Sequence, residues 1–179
     1  PATVAVRAGR FQLAGAGYLT VHASGGIPMM RAAVEAAPDV KILAITVLTS
    51  LNQEQALEVF GRRVEETVLK FAYMAAEAGV YGVVCSPQEL DLLKQAGLLE
   101  RLKAFTPGIR PSWYQKNDDQ ARKMTPGEAY ALGAHKLVIG RPITLAQNPS
   151  QALDRTLEEL RQAGWQSDEA RVKAGEELS

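Results

Sequence analysis

Residues 80–89 read VYGVVCSPQE and carry the clearest sign of the fold class. The first six residues are mostly apolar and lack polar alternation, as expected for a strand buried on both faces of a sheet. Ser86 then offers a side-chain cap, Pro87 suits the first turn of a helix, and Glu89 can bond back to the cap. A buried strand that leads directly into a helix is the repeating unit of a parallel α/β protein.

The same unit recurs on both sides of this stretch. Strands are predicted at residues 18–21, 42–48, 80–85, 104–106 and 137–139, of which 104–106 is the weakest run. The capping pattern returns at residues 125–128 (TPGE) and 148–151 (NPSQ), and residues 64–78 have the apolar spacing of a helix. The expected order is one helix and then five strands, each followed by a helix. Such repeats form either an open sheet or a barrel.

Glycines mark the predicted ends of helices without choosing between those two architectures. Gly17, Gly79 and Gly133 each follow an alanine-rich stretch and precede a strand, where a left-handed residue often ends a helix. The patch at residues 15–17 precedes a strand, whereas a dinucleotide fingerprint must follow one. The patch at residues 24–26 does follow a strand, but it lacks the fingerprint's spacing and is interpreted as a plain turn.

Composition limits the classes of function. The chain has 179 residues, 46% hydrophobic and 22% charged, with a net charge of 0. We expect one soluble domain at residues 1–165 and a charged C-terminal tail at 166–179. Neutral charge argues against nucleic acid or an anionic membrane as partner, and no apolar run approaches the ~20 residues of a membrane span. Cys85 alone cannot form an internal disulfide, which suits the cytoplasm, and we interpret it as a small buried side chain.

Ligands of βα-repeat proteins bind at the carboxyl ends of the strands. Small hydroxyl residues, glycines and arginines follow the predicted strands here, but no nucleophile is paired with a base. Gly140 and Arg141 form the most informative pair, because a glycine lets its N–H approach a phosphate and an arginine supplies a fork of charged donors. The alternative interpretation is a turn with a solvated arginine. A histidine such as His22 at a strand end is more often structural than catalytic.

The polar segment at residues 107–124 is long enough to predict a lid or a binding loop. It contains Trp113 and Tyr114, and Gln120 and Arg122 within it could donate hydrogen bonds to an anion. The alternative is a surface insertion without function.

Taken in order, these segments resemble successive signatures of bacterial orotidine 5′-phosphate decarboxylases. Each motif is weak alone, but the ordered set is specific and covers roughly residues 1–160. The matching segments are VHASGG at 21–26, TVLTS at 46–50, GVVCS at 82–86, TPGIR at 106–110, DQAR at 119–122 and VIGRPI at 138–143.

The resemblance implies a (β/α)8 TIM barrel, of which this chain would cover about five βα units as an incomplete barrel. It implies a homodimer with the active site at the subunit interface, and we expect a cytoplasmic location from the single cysteine. The implied reaction of pyrimidine biosynthesis converts orotidine 5′-phosphate to uridine 5′-phosphate and carbon dioxide, with no metal or organic cofactor. Thr49 would contact the pyrimidine, and Pro107 would lie in the wall beside it.

The resemblance also assigns the phosphate site. Gln120 and Arg141 would hold the phosphate together with the N–H of Gly140, and Arg110 would belong to the same binding loop. Thr3 corresponds to a threonine that reaches the active site of the partner subunit.

The same resemblance implies that the catalytic residues lie outside the chain. Residues 1–4 continue the family's Asp-x-Lys-x-x-Asp-Ile-Pro-x-Thr motif, so we expect its lysine and aspartates upstream and no catalytic residue within the chain. A closed barrel typically needs eight strands and ~250 residues, and five strands would leave open edges. Two alternatives stay open: a non-catalytic fragment or degenerate barrel that acts as an assembly module, and a related phosphosugar decarboxylase that uses magnesium. The segments at 106–110 and 119–122 favour the pyrimidine nucleotide.

Overall fold

The computed structural model describes residues 1–114 and 124–166. Five strands alternate with eight α-helices among these residues. In chain order they are α1 (Ala2–Leu13), β1 (Tyr18–His22), α2 (Ile27–Ala36), β2 (Lys41–Ile45), α3 (Gln53–Phe60), α4 (Val64–Ala78), β3 (Gly82–Val84), α5 (Leu90–Gln95), β4 (Lys103–Thr106), α6 (Pro126–Ala131), β5 (Lys136–Leu137), α7 (Arg141–Thr144) and α8 (Pro149–Gln162).

The strands form one parallel sheet in the order β1-β2-β3-β4-β5, so each strand pairs with its neighbours in the sequence. The five predicted strands are confirmed in place, but three have bounds that differ by more than one residue. The second ends at Ile45 rather than at residue 48, the third spans Gly82–Val84 rather than 80–85, and the fifth spans Lys136–Leu137 rather than 137–139. An open doubly wound sheet reverses its strand order at a switch point. This sheet has no reversal, which is the arrangement of a barrel.

The sheet is strongly curved. The ring centroids of Tyr18 in β1 and Phe105 in β4 lie 5.3 Å apart. Neighbouring strands are ~4.8 Å apart, so three spacings would separate these two strands by about 14 Å in a flat sheet. Their rings can meet only if the sheet curls around the face that carries them. The described strands therefore form an arc of a barrel.

Helices cover the convex face of this arc and form the core with it. Alternate strand residues such as Val21, Ala44 and Val83 are buried there. The apolar face predicted for residues 64–78 is confirmed, because α4 has those bounds and buries Val64, Val68, Phe71, Ala72 and Ala75. Each large apolar side chain buried in this way stabilises the fold by roughly 1.5–3 kcal/mol. The prediction that Cys85 is buried is also confirmed.

The predicted caps hold the helices that follow the strands. Ser86 with Glu89, and Thr125 with Glu128, each form a complete capping box. Asn148 accepts a hydrogen bond from the Gln151 amide at the start of α8. The expectation of one helix after each strand is wrong in two places, because two helices follow β2 and two follow β5.

The prediction that Gly17 ends the first helix is wrong. Gly79 and Gly133 have positive φ as expected, but after α1 the left-handed residue is Gly15, with φ 73°. The Gly15 amide donates to Gln12 O and the Ala16 amide donates to Phe11 O, which is the paired closure that requires a left-handed residue at position 15. Gly17 instead opens the strand ladder, since its carbonyl accepts from the Lys41 amide at 3.0 Å.

Candidate functional site

The predicted binding residues follow three strands at one edge of the sheet. Because all five strands are parallel, their carboxyl ends meet at the same edge. Thr49 follows β2, Pro107 and Arg110 follow β4, and Gly140 and Arg141 follow β5. The topology therefore brings these five residues to the edge where βα-repeat proteins bind ligands.

Gly140 and Arg141 begin the short helix α7. The Gly140 carbonyl accepts hydrogen bonds from the amides of Ile143 and Thr144 at 2.9 and 3.0 Å, which fixes the turn. Among the described residues, nothing lies within 4 Å of a Cβ built on Gly140, so the space beside this glycine is open. Arg141 is half-buried directly after it. An exposed glycine N–H and an adjacent guanidinium can hold a phosphate together.

The segment after β4 turns sharply and closes on itself. Thr106 is buried and its Oγ1 donates to Lys136 O at 3.3 Å, so the pairing of β4 with β5 extends to the strand end. Gly108 has φ 81°, which favours glycine there. Ile109 is fully buried and forms an isolated bridge with Met124. The two ends of the segment at 107–124 therefore meet at this point.

Arg110 lies at the base of this segment. Its amide donates to Met124 O at 2.9 Å, and its Nη1 donates to Ile109 O at 2.8 Å. Its guanidinium also lies 5.8 Å from the centre of the Tyr114 ring. These contacts hold the Arg110 side chain close to the backbone of its own loop.

Thr49 lies between two fixed points. Before it, Thr46 Oγ1 donates to Val84 O at 3.1 Å and ties the end of β2 to β3. After it, Asn52 and Gln55 form a capping box that starts α3. Thr49 itself is half-buried in the short connection between them.

Thr3 lies in α1, before β1, at the opposite end of the strand order from Gly140 and Arg141. It lies exposed in the first turn of α1, which precedes β1 and packs on α2. Gly140 and Arg141 follow β5, so the whole sheet separates them in strand order from Thr3. The structure therefore does not group Thr3 with the residues that follow β2, β4 and β5.

Some predicted features fall outside the described residues. Gln120 is among these, as are Arg122 and the tail from residue 167 onward. His22 is described and is exposed at the end of β1. In residues 1–114 and 124–166, no three His, Cys, Asp or Glu side chains are grouped in a way that could hold a metal ion. Over the same residues, no helix is long and apolar enough to cross a bilayer.

The sequence reasoning missed the contacts that α8 makes with the loop after β4. Glu159 accepts hydrogen bonds from Ser112, and the guanidinium of Arg155 lies over the Trp113 ring. The spacing of Arg155 and Glu159 places them on one face of a capped helix, and that was the only signal available. Their partners are more than 40 residues away, so the sequence pattern did not reveal the pairing.

A profile of the family described as "Orotidine 5'-phosphate decarboxylase / HUMPS family" matches residues 1–156. The chain belongs to this family. Two proteins named orotidine 5′-phosphate decarboxylase illustrate the similarity. The one from Thermobifida fusca is 46% identical over 166 residues, which cover 92% of this chain and 70% of that protein. The one from Syntrophomonas wolfei is 48% identical over 154 residues, which cover 78% of this chain and 63% of that protein.

Members of the orotidine 5′-phosphate decarboxylase / HUMPS family with solved structures have the same architecture. The orotidine 5′-phosphate decarboxylase from Lactobacillus acidophilus superimposes with a TM-score of 0.73 at 32% identity, over 89% of this chain and 70% of that one. The enzyme from Sulfolobus solfataricus gives a TM-score of 0.61 at 18% identity, over 86% of this chain and 65% of that one, which supports the fold alone. The chain thus spans about two thirds of the length of its relatives.

Proposed function

We propose that this protein is an orotidine 5′-phosphate decarboxylase, which converts orotidine 5′-phosphate to uridine 5′-phosphate and carbon dioxide in pyrimidine biosynthesis. The observation that carries the proposal is the placement of Gly140 and Arg141 after β5, the last described strand of a curved, sequentially ordered parallel sheet. Barrel enzymes frequently bind phosphate after their last two strands. The similarity to proteins named orotidine 5′-phosphate decarboxylase, at 46% and 48% identity, favours the phosphate of a nucleotide.

Each predicted binding residue has a role in this proposal. Arg141 and the N–H of Gly140 bind the phosphate, and Arg110 supports the loop beside them. Thr49 contacts the pyrimidine, and Pro107 forms the wall next to it. We assign Gln120 to the phosphate as well, on the resemblance alone, because it lies outside the described residues.

The chemical step belongs to residues that we place outside this chain. In the family, a lysine stabilises the charge that develops at C6 and protonates that carbon. We place it in the Asp-x-Lys-x-x-Asp motif expected before Pro1, and we assign no catalytic residue within the chain. We further propose a cytoplasmic homodimer in which Thr3 reaches the partner's active site. The position of Thr3 at the opposite end of the strand order from Arg141 supports that role.

Comparing two ligands that differ only in the phosphate tests the proposed site. Calorimetry on the 179-residue chain should show tighter binding of uridine 5′-phosphate than of uridine, because only the nucleotide reaches Gly140 and Arg141. Equal affinity for the two ligands would contradict the phosphate site.

A chelator distinguishes the proposal from its nearest rival, a magnesium-dependent phosphosugar decarboxylase of the same family. We expect decarboxylation of orotidine 5′-phosphate to be unchanged by EDTA. The assay requires a chain extended upstream through the family motif. Loss of activity on chelation, with recovery on adding Mg²⁺, would favour the rival.

A further inference from the structure

Two residues of α8 hold the base of the loop that follows β4. The Ser112 amide and the Ser112 hydroxyl both donate to Glu159 Oε2, at 3.0 and 3.1 Å. One turn earlier on the same helix face, the guanidinium carbon of Arg155 lies 4.7 Å from the centre of the Trp113 ring. Consecutive loop residues are thus bound by side chains spaced four apart on α8, a spacing that matches one helix face. We define Ile109–Tyr114 as the loop stem.

The position of Trp113 depends on this contact. The indole N–H is buried and has no hydrogen-bond acceptor among the described residues. Among the described residues, therefore, no hydrogen bond holds the indole, and leaving its N–H unpaired carries a cost in free energy. The indole instead contacts two side chains. The guanidinium of Arg155 lies over its ring, and the Tyr114 ring lies 6.3 Å away between centroids. Met124 holds the start of the stem, at Ile109 and Arg110, and α8 positions its outer part, at Ser112 and Trp113.

The same helix supports the other parts of the proposed phosphate site. A Cβ added to Gly127 in α6 would lie 3.0 Å from the Ala163 Cβ and 3.7 Å from Glu159 O, so α6 approaches α8 closely. The helix α7, which begins with Arg141, also packs on α8. The loop after β4 is therefore flanked by two contacts with α8, through Ser112 before it and through α6 after it. The helix that carries Arg141 is a third contact.

We propose that Glu159 is a positioning residue for phosphate binding, which it serves by fixing the loop stem relative to Arg141, and that Arg155 assists it. This inference rests on the proposed function. Glu159 itself does not touch the substrate. Its removal lets the stem leave α8, which displaces Arg110 in the stem relative to Arg141, while the contacts to the base after β2 are unaffected.

The test compares the affinities of uridine 5′-phosphate and uridine in the 179-residue chain and its variants. We expect Glu159→Ala to weaken the nucleotide at least tenfold and uridine less than twofold. Glu159→Gln should recover most of the loss, because its amide oxygen still accepts from Ser112. Glu158→Ala is the matched control, since Glu158 directly precedes Glu159 in α8 and, among the described contacts, pairs only with Arg161 at the surface. It should leave both affinities unchanged.

A fluorescence measurement follows the stem without a ligand. In a Trp165→Phe background, the emission reports Trp113 alone, because the chain has two tryptophans. Glu159→Ala should shift this emission to the red as the indole leaves α8, and Glu158→Ala should not. Ser112→Ala removes the hydroxyl donor at an exposed position and should produce a smaller red shift. This variant replaces Glu159→Ala in the test if Glu159→Ala does not fold.

Two failures are distinguishable. If the unmodified chain binds the nucleotide and uridine equally, the proposed function fails and the inference fails with it. If the unmodified chain prefers the nucleotide while folded Glu159→Ala behaves like Glu158→Ala in affinity and in emission, only the positioning role is overturned.

Discussion

Arg141 combines a fixed backbone with a side chain that carries several donors. The amide of Leu145 donates to Arg141 O at 3.1 Å, so the backbone of this residue belongs to the turn of α7. A guanidinium can donate two parallel hydrogen bonds to a phosphate, whereas an ammonium group acts as a single point charge. Phosphate binding remote from the reacting carbon can be used to organise the reaction centre, which raises the rate as well as the affinity.

We therefore predict that Arg141→Ala lowers kcat/KM for orotidine 5′-phosphate by several powers of ten. Arg141→Lys should fall between this variant and the unmodified enzyme. Steady-state kinetics on a chain extended through the family motif provide the measurement. Arg161→Ala is the control, because Arg161 is exposed on α8 and pairs with Glu158. A loss of less than tenfold, ~1.4 kcal/mol, would contradict the role of Arg141.

Single residues also show what the sequence can and cannot predict. Gly140 and Arg141 were predictable because both parts of the phosphate site are adjacent in the chain. The pairing of Ser112 with Glu159 joins residues 47 apart and depends on how α8 packs, which no local pattern contains. Gly15 and Gly17 are both glycines before a strand, and only the hydrogen bonds that close α1 distinguish them.

At the scale of the elements, the capping box of Thr125 and Glu128 makes the free energy of unfolding depend on pH. The hydroxyl and amide of Thr125 donate to Glu128 Oε2 at 2.6 and 2.9 Å, and they hold the pKa of Glu128 below its ordinary value. The folded state therefore binds this proton less tightly than the unfolded state does. The resulting stabilisation is complete above the unfolded pKa of about 4.3 and disappears as pH falls through the lower, folded pKa.

We predict that Thr125→Ala lowers the free energy of unfolding by about 1 kcal/mol at pH 7. The difference from the unmodified chain should shrink at a pH below the folded pKa of Glu128, where this side chain is protonated in both states. Because Glu128 is largely exposed, the charge contributes only a part of this effect. Urea unfolding at both pH values measures it, and Ser150→Ala, an exposed change within the first turn of α8, is the control. An equal loss at both pH values would exclude the carboxylate as the cause.

The pairing of β3 with β4 leaves no room for a side chain at Gly82. A Cβ built there would overlap Lys103 O, a backbone atom held in the ladder. We predict that Gly82→Ala destabilises the chain by roughly 1–3 kcal/mol, the usual cost of overpacking a core. Gly17→Ala is the control, since its φ is not positive and no described atom lies within 4 Å of its added Cβ. Thermal unfolding should show a lower Tm for Gly82→Ala only.

Capped helices and buried strands were predictable because each has a local cause. The end of β2 was not, since residues 46–48 continue the apolar run and only the geometry of the sheet shows where pairing stops. The Thr46 amide still donates to Val84 O at 3.1 Å, and the chain then leaves the sheet toward Thr49. The binding residues begin where the ladder ends, so this boundary matters for the site.

At the scale of the whole molecule, the sequence left an open sheet and a barrel as alternatives until the family resemblance was considered. The strand order and the meeting of Tyr18 with Phe105 resolve this choice independently of that resemblance. Curvature could not be predicted from local patterns, because it arises from contacts across three strand spacings. The loops after β4 and β5 are neighbours because these two strands pair directly.

The division between binding and chemistry gives the last prediction. All binding residues proposed within the described part of the chain come from loops and helices that the arc positions, whereas the proposed catalytic lysine belongs to the motif expected before Pro1. The 179-residue chain should therefore bind uridine 5′-phosphate yet release no measurable carbon dioxide from orotidine 5′-phosphate. A chain extended upstream through the Asp-x-Lys-x-x-Asp motif should decarboxylate the substrate, and replacing that lysine by alanine should abolish the activity while the nucleotide still binds. Turnover by the 179-residue chain alone would place the catalytic groups among its own residues, and the assignment of Arg141 to binding rather than to chemistry would then need to change.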